Sequence, residues 1–132
     1  MIKYMLDTNI VSHLIKGHEK VIEQVTSKPI FDICISSITQ AELLFGLAKR
    51  PDAKKLHLLV KEFLLRIEII SWNSDAAKTY GKTRAELENK GKIIASLDLL
   101  IATHALSNKF TLITNDKAFL QIENLKIEDW TV

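Results

Sequence analysis

Ile2-Lys3-Tyr4-Met5-Leu6-Asp7-Thr8-Asn9 opens as a short apolar β-like run and ends on a carboxylate followed by a hydroxyl and an amide. Ligands of open α/β sheets gather at the carboxyl ends of the strands, so Asp7 stands where such a fold presents its chemistry. A carboxylate beside Thr8 and Asn9 suits a hard cation or a phosphate-handling site. The structural alternative is that Asp7 caps the helix that follows it.

Outward from Asp7, short β-like runs alternate with longer helical patterns. Apolar β-formers bounded by turn or helix-start residues place strands at 2–6, 32–36, 67–70, 111–114 and 126–130. Helical patterns fall near 8–15, 18–27, 38–49, 53–66, 74–90 and 96–108. Tyr80, Arg84, Leu87 and Glu88 make the fifth helix amphipathic, whereas Leu99, Ile101, Ala102 and Ala105 make the sixth largely apolar and central. Such alternation implies an α/β fold, a mostly parallel central β-sheet flanked by helices. Gly17, Pro51 and Gly91 punctuate helices rather than divide domains, so residues 1–132 are expected to form one domain.

Composition narrows the class. With 132 residues and 47% hydrophobic content, the chain carries a real core. Charged residues interrupt every apolar run well before the ~20 residues a membrane helix needs. Met1 leads directly into the first strand with no basic leader, so a cytoplasmic location is expected. The single cysteine, Cys34, sits between Ile33 and Ile35 and reads as a buried, inert thiol. A formal net charge of +2 does not announce nucleic acid by itself. Its distribution says more: Lys49, Arg50, Lys54, Lys55 and Lys61 cluster, as do Lys78, Lys82, Arg84, Lys90 and Lys92. These are solvated helix faces or a surface that follows phosphates.

Three further acids fall at strand ends or helix starts. Glu42 lies in the first turns of the helix after strand two, Asp98 opens the apolar sixth helix, and Asp116 follows strand four. Each has a structural alternative. Thr39 with Glu42 matches an S/T-x-x-E capping box, Asp98 suits the helix dipole, and Asp116 suits a turn or N-cap. Taken together they fit that reading poorly. Two carboxylates about 4 Å apart repel by ~4 kcal/mol at an effective dielectric near 20, so four acids in one cleft need protons or cations. Oxygen donors without a Cys/His set favour Mg2+ or Mn2+ over zinc. Such ions polarise a phosphodiester and acidify a bound water, which implies phosphodiester hydrolysis.

Met5-Leu6-Asp7-Thr8-Asn9, Ile35-Ser36-Ser37-Ile38-Thr39-Gln40-Ala41-Glu42-Leu43 with Gly46, Asp98-Leu99-Leu100-Ile101-Ala102-Thr103-His104-Ala105 and Thr114-Asn115-Asp116-Lys117-Ala118-Phe119 together resemble the PIN-domain ribonucleases. Motif order, length and the closing Ile127-Glu128-Asp129-Trp130 look specifically like the VapC toxins of VapBC toxin–antitoxin pairs. The resemblance implies a PIN-like fold and a Mg2+-dependent endoribonuclease, with Mn2+ as a substitute. It makes Asp7, Glu42 and Asp98 the principal acidic metal-site residues and Asp116 the more variable fourth. Thr8, Asn9, Ser37, Thr39, Thr114 and Asn115 match supporting positions, with Asn9 expected to orient a carboxylate or a metal-bound water. The stretch Gly91-Lys92-Ile93-Ile94-Ala95-Ser96-Leu97 departs from the Pro- or Gly-containing turn often found before the third acid.

Other implications follow from the same resemblance. VapC relatives include cleavers of initiator tRNA in its anticodon stem-loop, making that RNA the expected substrate and a halt in translation the expected outcome. Hydrolysis would leave a 5′-phosphate and a 3′-hydroxyl. A homodimer is expected, bound by a VapB antitoxin whose C-terminal segment wraps the toxin and obstructs the cleft, with higher toxin–antitoxin assembly as an extension. Val11, Leu14, Ile15, Val21, Ile22, Leu58, Leu59, Phe63 and Leu64 supply either interfaces or core. Arg84 is the basic side chain best placed for RNA. His104, about 240° around its helix from Asp98, is read as packing, and His13, His18 and His57 lack a partner motif. Two alternatives stand beside this reading: a degenerate scaffold that binds RNA or protein without cutting, and a doubly wound phosphatase. The phosphatase commonly needs a second acid two residues after the first, where Asn9 stands.

Overall fold

The computed structural model describes residues 2–132, leaving Met1 outside the described residues. Five strands, β1 Tyr4–Leu6, β2 Ile33–Ser36, β3 Glu68–Ile70, β4 Thr111–Ile113 and β5 Ile127–Glu128, form one parallel sheet in the order β3-β2-β1-β4-β5. Between them lie α1 Thr8–Ile15, α2 Glu19–Thr26, α3 Ser37–Ala48, α4 Lys54–Arg66, α5 Ser74–Asn89 and α6 Ser96–Ser107. Every expected element is present. The strands are shorter than the apolar runs suggest: β1 begins at Tyr4 rather than Ile2, and β5 ends at Glu128, after which Trp130 turns into the core.

Strand side chains alternate between two buried faces, as a parallel sheet covered on both sides requires. Leu6, Ile33, Ile35 and Ile113 pack with Ile10, Val11, Val21, Leu43, Leu47 and Val60 from α1 to α4. Met5, Cys34 and Leu112 face the other way, against Leu87 of α5 and Leu99, Ile101, Ala102 and Ala105 of α6. Crossover handedness explains the division. From β1 to β3 the chain moves outward in one direction, then reverses past β1 to reach β4, and right-handed connections put the helices of the reversed crossover on the opposite face. The reversal creates a switch point between β1 and β4, the place where open α/β sheets take their ligands. Asp7 ends the first of these strands, and Thr114-Asn115-Asp116 follows the second.

Cys34 is fully buried, and that burial pushes its thiol up to about 12, consistent with an inert role. Gly91, at φ +68°, ends α5 in a left-handed turn. There Lys92 N donates to Leu87 O at 2.9 Å and Gly91 N to Glu88 O at 3.0 Å, the helix-ending bond pattern that glycine permits. No helix among the described residues is long and apolar enough to cross a membrane.

Candidate active site

Asp7 is 4% exposed at the end of β1, whose pairing with β4 continues through Asp7 N to Ile113 O at 3.0 Å. It does cap α1: Oδ1 accepts from Ile10 N at 2.8 Å. That bond does not neutralise its charge. Burial raises the carboxyl from its ordinary 3.8 to about 6, the Asp98 and Asp116 charges add to the rise, and the Thr114 hydroxyl and Ile10 amide oppose it.

Glu42 reaches the same region from the second turn of α3. The N-cap of that helix is Ser36, whose Oγ accepts from Ile38 N at 3.1 Å, so the Thr39–Glu42 capping box does not form. Glu42 Oε1 instead accepts from the Thr8 hydroxyl at 2.6 Å. Thr8 Oγ1 also lies 3.3 Å from Thr39 Oγ1; with its own proton given to Glu42, it accepts there from Thr39. Asp98 is half-buried in the first turn of α6. Burial raises its carboxyl above the usual range, as do the charges of Glu42 and Asp116. Asp116 caps the short 3-10 turn Lys117–Gln121 through Oδ1, 2.9 Å from Ala118 N, while its own N–H donates to Thr114 Oγ1 at 3.1 Å.

The capping readings of Asp7 and Asp116 are therefore realised alongside a shared electrostatic site. Each cap occupies one carboxylate oxygen. Mutual repulsion links Asp7 with Asp98 and Asp116, and Asp98 with Glu42 and Asp116. The ion pairs among the described residues lie elsewhere, at Lys3–Glu68, Arg66–Glu62, Arg84–Glu88 and Lys90–Glu123. Hard oxygen donors whose charges help raise the proton affinity of Asp7 and Asp98, with no basic side chain paired to them among the described residues, fit a hydrated divalent cation. No three His, Cys, Asp or Glu side chains among the described residues stand close enough together to hold an ion on their own.

The supporting residues divide. Thr8, Thr39 and Thr114 hold or adjoin the acids. Ser37 Oγ turns away to accept from Trp72 N at 3.0 Å. Asn9 and Asn115 are exposed. Arg84 is exposed on α5, with Nε 2.8 Å from Glu88 Oε2 and Nη1 3.0 Å from Tyr80 Oη. It borders a concavity with Ser96 and Leu99 of α6, flanking the Asp98 helix. His18 caps α2 beside His13, and His57 Nε2 meets Arg50 O at 2.8 Å. Sequence reasoning missed Ser36, Trp72 and the polar contact of His104; an apolar helix interrupted by one histidine is the signal that points to the last.

A groove of about 220 Å3 runs from Thr8 and Glu42 past Leu43, Leu47 and Val60 to Lys49 and Arg50. A larger concavity, about 430 Å3 beside Lys82, Glu86 and Lys90, contains none of the four acids. Leu58 and Leu59 remain exposed, whereas Val11 and Val21 are core and Leu14, Ile15, Phe63 and Leu64 pack against it.

A parallel α/β sheet with Asp7 and Asp116 after its two switch-point strands, electrostatically coupled to Asp98, is the framework of a cation-assisted phosphodiester-handling domain. Comparison with known proteins agrees, the PIN domain family matching residues 4–125. Ribonuclease VapC2 of Rickettsia felis is 41% identical over 132 residues, covering 96% of this chain and 97% of that protein. The tRNA(fMet)-specific endonuclease VapC of Salmonella typhimurium is 36% identical over 131 residues, covering 98% and 99%. Among solved structures, DNA-bound VapBC from Salmonella typhimurium matches with a TM-score of 0.92 over 98% of this chain and 99% of that one. VapBC2 from Rickettsia felis, bound to a promoter DNA fragment, matches at 0.86 over 98% and 99%. The chain belongs to the PIN-domain family, among its VapC ribonucleases.

Proposed function

We propose that this chain is a Mg2+-dependent endoribonuclease toxin, with Mn2+ as a substitute, which cuts initiator tRNA in the anticodon stem-loop and so halts translation. The observation that supports the reading is the charge coupling of Asp7 with Asp98 and Asp116, and of Asp98 with Glu42 and Asp116, with no basic side chain paired to these acids among the described residues. Asp7 and Asp98 are the principal ligands, Glu42 binds directly or through water, and Asp116 adjusts the waters. Thr8 and Thr39 hold Glu42, Thr114 holds Asp7, and Asn9 and Asn115 stand at the exposed rim. Bound there, a divalent cation polarises the phosphodiester and acidifies an attacking water. With the cation offsetting their charge, the acids would accept hydrogen bonds from the attacking water and set it in line with the P–O3′ bond, whose cleavage leaves a 5′-phosphate and a 3′-hydroxyl. Arg84 contributes cationic charge to the RNA path.

A VapB-type antitoxin is the proposed partner, its C-terminal segment seated in the groove that begins at Glu42 and continues along the apolar α3–α4 surface. The exposed Leu58 and Leu59 supply apolar contact for assembly, and a cytoplasmic homodimer of one-domain chains is the proposed free form. The relative named as a tRNA(fMet)-specific endonuclease supports the substrate reading.

Incubating the purified chain with total tRNA and Mn2+, then sequencing the new 5′ ends, tests the proposal. One dominant cut in the initiator anticodon stem-loop is expected, with an Asp98→Asn chain inactive. RNA left whole by a folded, metal-loaded parent would favour a binding scaffold, and phosphate release from small esters would favour a phosphatase. Size-exclusion mass measurement at several concentrations tests the dimer.

A further inference from the structure

One fully buried polar pair joins the two helices that carry Glu42 and Asp98. His104, in α6, is 0% exposed, and its Nδ1 lies 2.8 Å from Ser36 Oγ at the end of β2. The same oxygen accepts from Ile38 N and caps α3. A second strut stands beside it: Ser37 Oγ accepts from Trp72 N at 3.0 Å, and Trp72 Nε1 donates to Leu100 O at 3.0 Å. The β2–α3 corner is thereby tied to α6 twice.

Ser36 Oγ receives the Ile38 N–H and keeps one lone pair and its own proton, so it meets His104 Nδ1 as donor or acceptor according to the ring tautomer. Burial lowers the His104 pKa and outweighs the Ser71 carbonyl, which draws it upward, so the ring is neutral. Nε2 has no partner at hydrogen-bonding geometry. A buried polar nitrogen left short of a partner is destabilising, a cost that a leucine in the same space would avoid. Packing alone does not account for a histidine here.

The spacing indicates what the pair does. Glu42 follows Ser36 by six residues and Asp98 precedes His104 by six, each about 9 Å along its helix at 1.5 Å per residue. Six residues are also about 240° of helix turn, so the Ser36–His104 bond does not face the acids but joins the same two helices that carry the Glu42–Asp98 charge pair. We infer that His104 is a positioning residue: through Ser36 it fixes the separation of Glu42 and Asp98, and so the affinity of the acid cluster for a divalent cation. The inference rests on the metal-dependent reading above.

The test measures Mn2+ uptake by the full chain from the paramagnetic resonance signal of free Mn2+, with melting temperature followed on the same samples. His104→Leu and Ser36→Ala are expected to bind Mn2+ about tenfold more weakly than the parent, whereas His104→Asn and Ser36→Thr, which restore the polar contact, stay within about twofold. If His104→Leu does not fold, the Ser36→Ala and Ser36→Thr contrast decides, and equal Mn2+ affinity in those two overturns the inference. A parent that takes up no Mn2+ overturns the metal-dependent reading itself. A parent that binds Mn2+ no better than folded His104→Leu and Ser36→Ala chains overturns only the positioning role.

Discussion

Thr8 gives its hydroxyl proton to Glu42 across the gap between α1 and α3, with Oγ1 2.6 Å from Oε1. Because Thr8 directly follows Asp7, the bond ties the second acid to the first, and the Thr39 hydroxyl supports it from behind. Replacing Thr8 by valine keeps the side-chain shape and removes the donor. Thr8→Val is expected to lower Mn2+ affinity about tenfold. It should change folding stability by no more than about 1 kcal/mol, because Glu42 is only half-buried and water replaces the lost donor. Titration calorimetry with Mn2+ checks the first expectation, and a Thr8→Val chain that binds like the parent removes the bond from the site's function.

Asp7 makes metal-free stability depend on pH in an unusual direction for a carboxylate. Its folded value, about 6, lies above its ordinary 3.8, so the folded chain holds a proton there that the unfolded chain has released. The associated stability is complete below about pH 4 and is lost as pH rises through about 6. The shift corresponds to about 3 kcal/mol as an upper limit at 1.36 kcal/mol per unit. Asp7→Asn should therefore melt higher than the parent at pH 7 without metal, and the two should converge near pH 4. Melting curves across that range check it; an Asp7→Asn chain less stable than the parent at pH 7 contradicts the burial argument.

The same proton competes with the cation. Below about pH 6 the Asp7 carboxyl is held protonated, so Mn2+ affinity should weaken as pH falls from 7 to 5, with proton release accompanying binding. Calorimetry in two buffers of different ionisation enthalpy counts those protons. Uptake independent of pH in this window would remove Asp7 from the ligand set.

The elements were legible because their periods differ. Alternating faces at Met5/Leu6 and Leu112/Ile113 mark doubly covered strands, and the apolar run from Leu99 to Ala105 marks a helix inside the core. The four acids were legible for a related reason, since each follows a strand or opens a helix and parallel topology brings those ends to one edge. Long-range partners were not legible. Thr39 and Glu42 have capping-box spacing, but the helix begins earlier, at Ser37, leaving Glu42 free to meet Thr8, 34 residues away. The helical angle between Asp98 and His104 correctly turned the histidine from the acid, yet says nothing of Ser36, 68 residues distant.

Trp130 closes the core after β5. It is 1% exposed, its ring centroid is 5.3 Å from that of Tyr4, Lys28 Nζ stands 4.5 Å from the ring centre, and Nε1 donates to Glu128 Oε1 at 3.0 Å. Tyr4 lies in β1, the strand that delivers Asp7. Trp130→Ala should cost about 3–5 kcal/mol in urea unfolding, while Trp130→Phe, which keeps most of the ring volume, loses less. A loss below 1 kcal/mol for the alanine variant would show that the C-terminal segment docks without supporting the sheet.

Arg84 tests whether the α5 surface carries RNA. Its guanidinium is already engaged by Glu88 and Tyr80 on the same exposed helix face, and a phosphate would have to compete with the Glu88 carboxylate for it. Exposed pairs of this kind are weak, so the competition is open to a polyanion. Arg84→Ala should raise KM at low salt with kcat unchanged, and should reduce the slope of log affinity against log salt by about one. Glu88→Gln, which releases the guanidinium, should lower KM. If Arg84→Ala instead lowers kcat at constant KM, the side chain acts on the reacting phosphate in the transition state rather than along the RNA path. If neither KM nor the salt slope moves in either variant, the α5 cations are a solvated helix face and RNA approaches the four acids from another side.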